Sequence, residues 1–489
     1  MSTPQNAFKP TLGLFDATMI VAGSMIGSGI FIVSADMLKG IGGAQWLLIV
    51  WLITGFMTLT AALSYGELSS MFPKAGGQYV YLKEAYNPLV GFLYGWSFFS
   101  VIQTGTIAAV AVGFAKFAGY FFPALVWNDD NAFSIFPYKS GQSSEIHWGL
   151  TIHYAQLVGV ALIVLLTYIN TKGIKLGKII QTIFTSTKLL SLFGLIIAGL
   201  IAFNWDIWTA NWNHGAAISK ITQSADGHFN YEPLLGGVAL GAIAVAMVGS
   251  IFSSDAWNNV TFIAGEIKNP KRNIGLSLML GTLIVTLIYI LMNVVYLATV
   301  PIDQLAFAKD NRVALSASQA IFGNSGTIII AVMIMISTFG CNNGLILAGA
   351  RVYYTMAQDN LFFKKAGQMN ANAVPAWALW IQCVMASLLC LSGRYGDLLD
   401  MVSFVVVIFY VLTIIGIFIL RVKKPEMERP YKAFGYPLLP ALYILMGIAF
   451  CTLLILYKPE FTWPGLIISL LGIPIYYVAL QKKSNKENP

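Results

Sequence analysis

Apolar runs recur from residue 14 to residue 480, each close to the roughly 20 residues that carry a helix across about 30 Å of hydrocarbon. They lie near 14–38, 44–70, 89–123, 154–170, 179–203, 234–263, 274–299, 327–357, 376–393, 398–420, 437–457 and 463–480. A chain so punctuated predicts an all-α polytopic membrane protein of twelve transmembrane helices, in one transmembrane domain over 1–489. Only 10% of its residues are charged, whereas soluble domains carry about 25%. The first run has no small-residue cleavage site and continues into a Gly-rich stretch, so it reads as a span and not as a removable leader. No soluble domain is expected at either end.

Lys and Arg crowd alternate connections: Lys172, Lys175 and Lys178; Lys268, Lys271 and Arg272; Lys364 and Lys365; Arg421, Lys423, Lys424, Arg429 and Lys432. The intervening connections hold only Lys39, Lys139, Lys220, Lys309, Arg312, Arg394 and Lys458. The positive-inside rule therefore puts both termini in the cytoplasm. The net charge of +8 answers to anionic lipid and needs no nucleic acid. Cys341, Cys383, Cys390 and Cys451 all fall inside apolar spans, where they pack as small hydrophobes, so no disulfide-linked accessory subunit is expected. His147, His153, His214 and His228 sit in or beside the sparse connections without the spacing of a metal site; no metal and no cofactor are expected.

Two spans are interrupted. The first carries Gly23-Ser24-Met25-Ile26-Gly27-Ser28-Gly29-Ile30-Phe31, and the sixth carries Gly249-Ser250-Ile251-Phe252-Ser253-Ser254-Asp255-Ala256-Trp257-Asn258-Asn259. Backbone that leaves the helix inside a bilayer must be buried in protein or line a cavity. Breaks five helices apart fit a five-plus-five inverted repeat, 12–203 and 234–420, with helices over 437–480 added outside it. Gly23-xxx-Gly27 also has the spacing of a helix-packing face, but packing does not explain the polar break in the sixth span.

With these residues the chain resembles the amino acid–polyamine–organocation superfamily. The resemblance rests on the first break, on Tyr65-Gly66-Glu67-Leu68 followed by Pro73-Lys74-Ala75-Gly76-Gly77-Gln78-Tyr79, on Glu266-Ile267-Lys268-Asn269-Pro270-Lys271-Arg272-Asn273, and on Arg429-Pro430-Tyr431-Lys432 leading to Gly435-Tyr436-Pro437. Ala256-Trp257-Asn258 resembles its L-type amino acid transporter branch. The resemblance implies a Na⁺-independent amino acid transporter of the plasma membrane, with discontinuous helices 1 and 6, working by alternating access. It also implies an exchanger of small or neutral amino acids, with a proton-coupled amino acid or amine symporter as the alternative. The L-type pattern of a cysteine between spans 3 and 4 is missing here, which points to a self-sufficient bacterial-type permease.

A zwitterionic substrate must exchange water for protein partners. The N–H groups of Ser28, Gly29 and Ile30 open the second half of span 1 and suit its carboxylate, with Gly27 and Gly29 admitting close approach. The carbonyls of Ile26 and Phe252 end the first half-helices and are the candidates for its ammonium. Phe252 is also the aromatic gate candidate. Ser253, Ser254 and Asp255 suggest a polar pocket. Asp255 either faces the substrate or a proton or caps the second half-helix through Trp257 or Asn258. Lys188 lies roughly 14 Å into its helix, too deep to snorkel, and must face protein or a watery vestibule. The resemblance gives it the volume that sodium fills in sodium-coupled relatives, against the Gly27 carbonyl region and the hydroxyls of Ser337 and Thr338. Lys116, nearer an end of span 3, reads as snorkelling. Asn343 and Gln103 are candidates for the pocket or for interhelical hydrogen bonds. Glu67, Glu266 and Arg272 are candidates for an inner gate closed by pairing, or for a fixed loop lock. A membrane enzyme lacks a constellation to carry it, and a channel would need repeated polar rings.

Overall fold

The computed structural model describes residues 10–127, 131–134, 151–213, 215, 217–392 and 395–478, with the backbone alone over 174–183. Lys139, His147, His214 and Arg394 lie outside these residues, and the side chains of Lys175 and Lys178 fall in the backbone-only stretch. Among the described residues ten helices are long and apolar enough to cross a membrane, and two shorter apolar helices, Leu14–Met25 and Ala376–Ser392, accompany them.

In chain order the helices are α1 (Leu14–Met25), α2 (Val33–Ile41), α3 (Ala44–Met71), α4 (Gln78–Ala85), α5 (Pro88–Ser97) and α6 (Gln103–Ala118), then α7 (Tyr154–Thr171), α8 (Ile174–Ile201), α9 (Trp205–Trp212), α10 (Gly236–Ser253), α11 (Asn259–Phe262) and α12 (Pro270–Thr299). They continue as α13 (Ile302–Ala306), α14 (Val313–Gln358), α15 (Ala376–Ser392), α16 (Tyr395–Lys423), α17 (Leu438–Tyr457) and α18 (Pro459–Leu470). A π-helical turn, Phe98–Ile102, joins α5 to α6, and α14 bends at Gly323, whose φ is 68°. The span made by α5 and α6 is the most enclosed, running through the middle of the bundle.

The helices meet through small residues, as they do where lipid supplies no hydrophobic drive. A side chain at Gly55 of α3 would overlap Thr286 of α12, and one at Gly275 of α12 would stand 3.5 Å from Gly66 Cα. α6 packs on α14, and α7 on α15. α1 and α2 are two pieces of one interrupted span, as are α10 and α11, and they lie side by side, α2 against α10 and α1 against α11.

One face of the bundle carries an antiparallel hairpin, Ser219–Gln223 with Phe229–Pro233, together with α9 and α13. At the other face the extended residues before α1 are stitched to the chain after α11. The N–H groups of Thr11 and Leu12 donate to Glu266 O at 2.9 and 3.0 Å, and Lys268 N–H donates to Leu12 O at 2.8 Å. On this Glu266 face Glu67 is fully buried and accepts from Arg421 at 3.0 and 2.7 Å and from Ala433 N–H at 2.7 Å, with Arg429 3.5 Å away. The Arg421 guanidinium stacks on the Tyr436 ring at 3.5 Å. Glu67 thus ties the end of α3 to the end of α16 and to the loop that follows.

Glu67→Ala strands this guanidinium pair, and breaking such a buried pair costs about 3 kcal/mol. A lower thermal unfolding temperature in detergent is the expected readout, against an unchanged one for Lys271→Ala, whose pairing with Glu428 is exposed.

Candidate functional site

α1 stops at Met25, and Ile26 leaves the helical region at φ −75°, ψ 91°. A helix that stops frees its last four carbonyls, here those of Gly23, Ser24, Met25 and Ile26. All four are met by side chains from other helices. Lys188 Nζ of α8, fully buried, donates to Gly23 O at 2.6 Å and to Ile26 O at 2.9 Å. Cys341 Sγ of α14 donates to Ser24 O at 3.3 Å. Tyr289 of α12 donates its hydroxyl to Met25 O at 3.1 Å.

α10 ends in the same way at Ser253. Ser254 N–H returns to Ser250 O and Ile251 O, Asp255 N–H returns to Phe252 O at 3.2 Å, and Ser253 O faces the Tyr289 hydroxyl at 2.9 Å. A single hydroxyl therefore lies between the two broken ends. α12 holds α2 further along the same face: Asn293 Oδ1 accepts from Ser34 Oγ at 2.7 Å, and Tyr296 donates to Ile30 O at 3.2 Å. Positions 289, 293 and 296 are spaced i, i+4, i+7, one stripe of a helix.

The donors are in the opposite condition. The amides of Gly27, Ser28, Gly29 and Ile30 are buried, and no acceptor among the described residues takes them. A row of buried N–H groups before a helix is an anion-binding cradle. Its glycines leave little room: a side chain at Gly29 would overlap Ser253, and one at Gly27 would stand 3.2 Å from Cys341 Sγ. Towards the hairpin face the cradle is closed by Tyr395 of α16. Its hydroxyl is 3.0 Å from Ser28 Oγ, and its ring meets Phe252 edge-on with centroids 6.2 Å apart. Towards the Glu266 face a cleft lined by Leu12, Ser24, Asn259, Gly344 and Arg351 reaches the end of α1.

Asp255 sits in the second break and accepts from Tyr410 of α16 at 2.5 Å. The cap of α11 is Asn258, without a side-chain hydrogen bond to the helix, so the capping reading of Asp255 gives way to a hydroxyl partner on another helix. Ala256 holds a left-handed φ of 63°, a conformation that costs a non-glycine residue about 1–2 kcal/mol. This turn places Trp257 against Tyr65 at 4.7 Å and Tyr410 at 5.1 Å. Small cavities beside Asp255 are lined by Gln103 and Thr106 on one side and by Thr54 and Ser254 on the other.

Several expected placements differ. Lys188 bonds the carbonyls of Gly23 and of Ile26, the residue next to Gly27, because the stopped helix offers it two unpaired oxygens. Ser337 has no hydrogen-bond partner among the described residues and Thr338 bonds back to Ile334 O; neither bonds Lys188. Of the two alternatives for Asn343 and Gln103 the interhelical bond is present in both, Asn343 accepting from Asn170 of α7 at 2.8 Å and Gln103 donating to Leu345 O at 2.6 Å, while Gln103 also lines the cavity beside Asp255. The carbonyls of Ile26 and Phe252 each hold one donor already. Glu266 pairs with Arg351 at 3.1 Å and Glu67 with Arg421, while Arg272 is exposed with no ion pair among the described residues. The three do not pair with one another. Tyr289, Tyr395 and Tyr410 escaped the sequence reading, which takes Cys341 for a packed small hydrophobe. Each stands in or beside an apolar run as packing; the only available signal was a polar atom at span depth, which needs a partner.

Comparison with known proteins accords with this geometry. The family model described as amino acid permease matches residues 12–480. The serine/threonine exchanger SteT of Bacillus subtilis (strain 168) is 28% identical over 488 residues, covering 99% of this chain and 100% of that protein. The human large neutral amino acids transporter small subunit 2 is 28% identical over 476 residues, 97% of this chain and 81% of that protein. The human b(0,+)-type amino acid transporter 1 is 27% identical over 479 residues, 98% and 89% respectively.

Tyr289→Phe keeps the ring and deletes the hydroxyl shared by Met25 O and Ser253 O. An unmet buried carbonyl costs about 1–3 kcal/mol, so the variant is expected to unfold at lower temperature in detergent than the wild type. Tyr457→Phe, on a hydroxyl away from the breaks, is the control expected to leave the melt unchanged.

Proposed function

The chain belongs to the amino acid permease family and carries amino acids across a membrane, and we propose that it does so as a Na⁺-independent exchanger of small or neutral amino acids. The observation that carries this reading is the Lys188 ammonium fixed on the carbonyls of Gly23 and Ile26. An ammonium tethered to the protein and bonded to the end of the broken helix takes the place of a cation that would have to be carried through. The likeness to a serine/threonine exchanger along the full length of both chains supports exchange of small substrates.

In this reading the substrate carboxylate is received by the unpaired amides of Gly27, Ser28, Gly29 and Ile30, and its ammonium by the remaining lone pairs of the Ile26 and Phe252 carbonyls. Phe252 and Tyr395 close the site towards the hairpin face. Ser253, Ser254 and Asp255 bound the side-chain end. The cleft beside Ser24 opens the site towards the Glu266 face, and Glu266 and Glu67, held by arginines, lock the loops there. Alternating access exchanges this opening for one past Tyr395. We assign the Glu266 face and both termini to the cytoplasm of a cell-membrane protein that works without a disulfide-linked subunit. We also read the chain as twelve spans, with 12–203 and 234–420 as inverted repeats and 437–480 outside them. The contacts of α3 with α12, α6 with α14 and α7 with α15 support it, since each joins helices of equal rank in the two halves.

The second reading, proton-coupled symport, draws on one observation, the buried Asp255 carboxylate in its 2.5 Å contact with Tyr410. The two readings part in proteoliposomes. Exchange predicts that uptake of radiolabelled L-serine or another small neutral amino acid needs unlabelled substrate inside and is unchanged when choline replaces Na⁺. Uptake into empty vesicles driven by a proton gradient would establish symport instead. Lys188→Ala should lower exchange at least about tenfold, the equivalent of one lost charge-assisted hydrogen bond of about 1.5–3 kcal/mol, and wild-type exchange in that variant would remove the role given to the lysine.

A further inference from the structure

We propose that the hairpin face holds a second amino acid site, a cavity that receives the substrate carboxylate on Lys116 one step outside the central cradle. The proposal rests on the amino acid transport reading and adds a subsite to it. The cavity measures about 270 Å³ and is bounded by Asp36, Lys116, Trp127, Asp310, Asn311 and Tyr395. That volume lies just below the usual range for small-molecule pockets, about 300–1,000 Å³, and suits a ligand of amino acid size.

The charge pattern selects the ligand. Asp36 is paired with Lys39 at 3.0 Å and with Asn311, and Asp310 is paired with Arg312 at 2.5 Å. The Lys116 ammonium lies 5.8 Å from the centroid of the Tyr395 ring, and among the described residues it has neither an ion pair nor a hydrogen bond. The paired charges cancel, and Lys116 is left as the uncancelled cation of the cavity among the described residues. Trp127 contributes a wall of the cavity, its ring stacked on His153 with centroids 4.2 Å apart. An unpaired ammonium in a cavity of this size asks for a small anion, and a carboxylate is one. The oxygens of Asp36 retain lone pairs for an ammonium across the cavity, so a zwitterion satisfies both sides where a simple anion satisfies one.

Tyr395 makes the cavity more than a surface hollow. One side of this residue floors the cavity beneath Lys116, and the other carries the hydroxyl 3.0 Å from Ser28 Oγ in the central cradle. A substrate held on Lys116 therefore rests against the side chain that closes the central site, and moving that side chain passes it inward.

The test measures KM from each face separately, in vesicles of defined orientation, for an amino acid that the wild-type chain exchanges. Lys116→Gln is expected to raise KM at the hairpin face about tenfold, as loss of a charge-assisted bond does. KM at the opposite face and kcat stay within about twofold of wild type on the same argument, and Lys116→Arg restores most of the loss. Asp36→Asn removes the negative charge set across the cavity for the ammonium and is expected to raise the same KM about threefold; it carries the test if Lys116→Gln does not reach the membrane. An unchanged KM at the hairpin face overturns the proposal, and so does an equal rise at both faces, which would put the effect in the central cradle. Absence of exchange by the wild-type chain would instead overturn the function proposed above.

Discussion

A helix that ends inside hydrocarbon leaves four carbonyl oxygens with no water to turn to, and the ending of α1 at Met25 is tolerable because three other helices answer it. α8 brings an ammonium to Gly23 and Ile26, α14 a thiol to Ser24, and α12 a hydroxyl to Met25. Each unmet oxygen would cost about 1–3 kcal/mol, so these contacts set where α8, α12 and α14 must stand. The packing of the centre follows from them: glycines at 27 and 29 because donors and the second broken helix crowd in from every side, and Tyr289 where both helix ends can reach one hydroxyl.

The same ending leaves the site lopsided. Its acceptors are met within the protein and its donors are not: the amides of residues 27–30 are buried without partners among the described residues, while the oxygens before them are all occupied. A pocket with surplus N–H groups and a fixed ammonium behind them favours the negative end of a zwitterion over its positive end. In the function proposed, recognition of an amino acid starts from the carboxylate, which every amino acid shares. On that proposal the side-chain end falls to Ser254, Asp255 and their neighbours from α3 and α16, which line a small cavity apart from the cradle.

Much of this was legible in the chain. Gly23 to Phe31 and Gly249 to Asn259 stand out because glycine and polar residues at span depth have a price in free energy that only a site explains, and Lys188 stands out because an ammonium there has nowhere to go but inward. Its partners were not legible. Tyr289 lies in the run Ile288-Tyr289-Ile290 and Cys341 follows Gly340, and each looks like packing until the carbonyl that it meets is known. The acidic residues taught the same lesson at longer range. Glu67 meets Arg421 across most of the chain, and pattern along a sequence carries no sign of a partner so far away. Ser337 and Thr338 had the right chemistry for a lysine neighbour but lost to the free oxygens of α1, which lay closer.

The stitch between Leu12 and the 266–268 segment is made of main chain alone. Three backbone bonds hold the start of α1 to the end of the second broken span, so these two cytoplasm-assigned segments form one mechanical part, and a displacement of either is carried to the other. Because no side chain takes part, the coupling is blind to what residues 11, 12 and 268 are, so long as they keep an N–H. Drift in sequence there leaves the linkage intact, and proline alone, which has no hydrogen to give, would cut it. A joint of this kind survives divergence that would erase a salt bridge, and leaves no trace in composition by which it might be recognised.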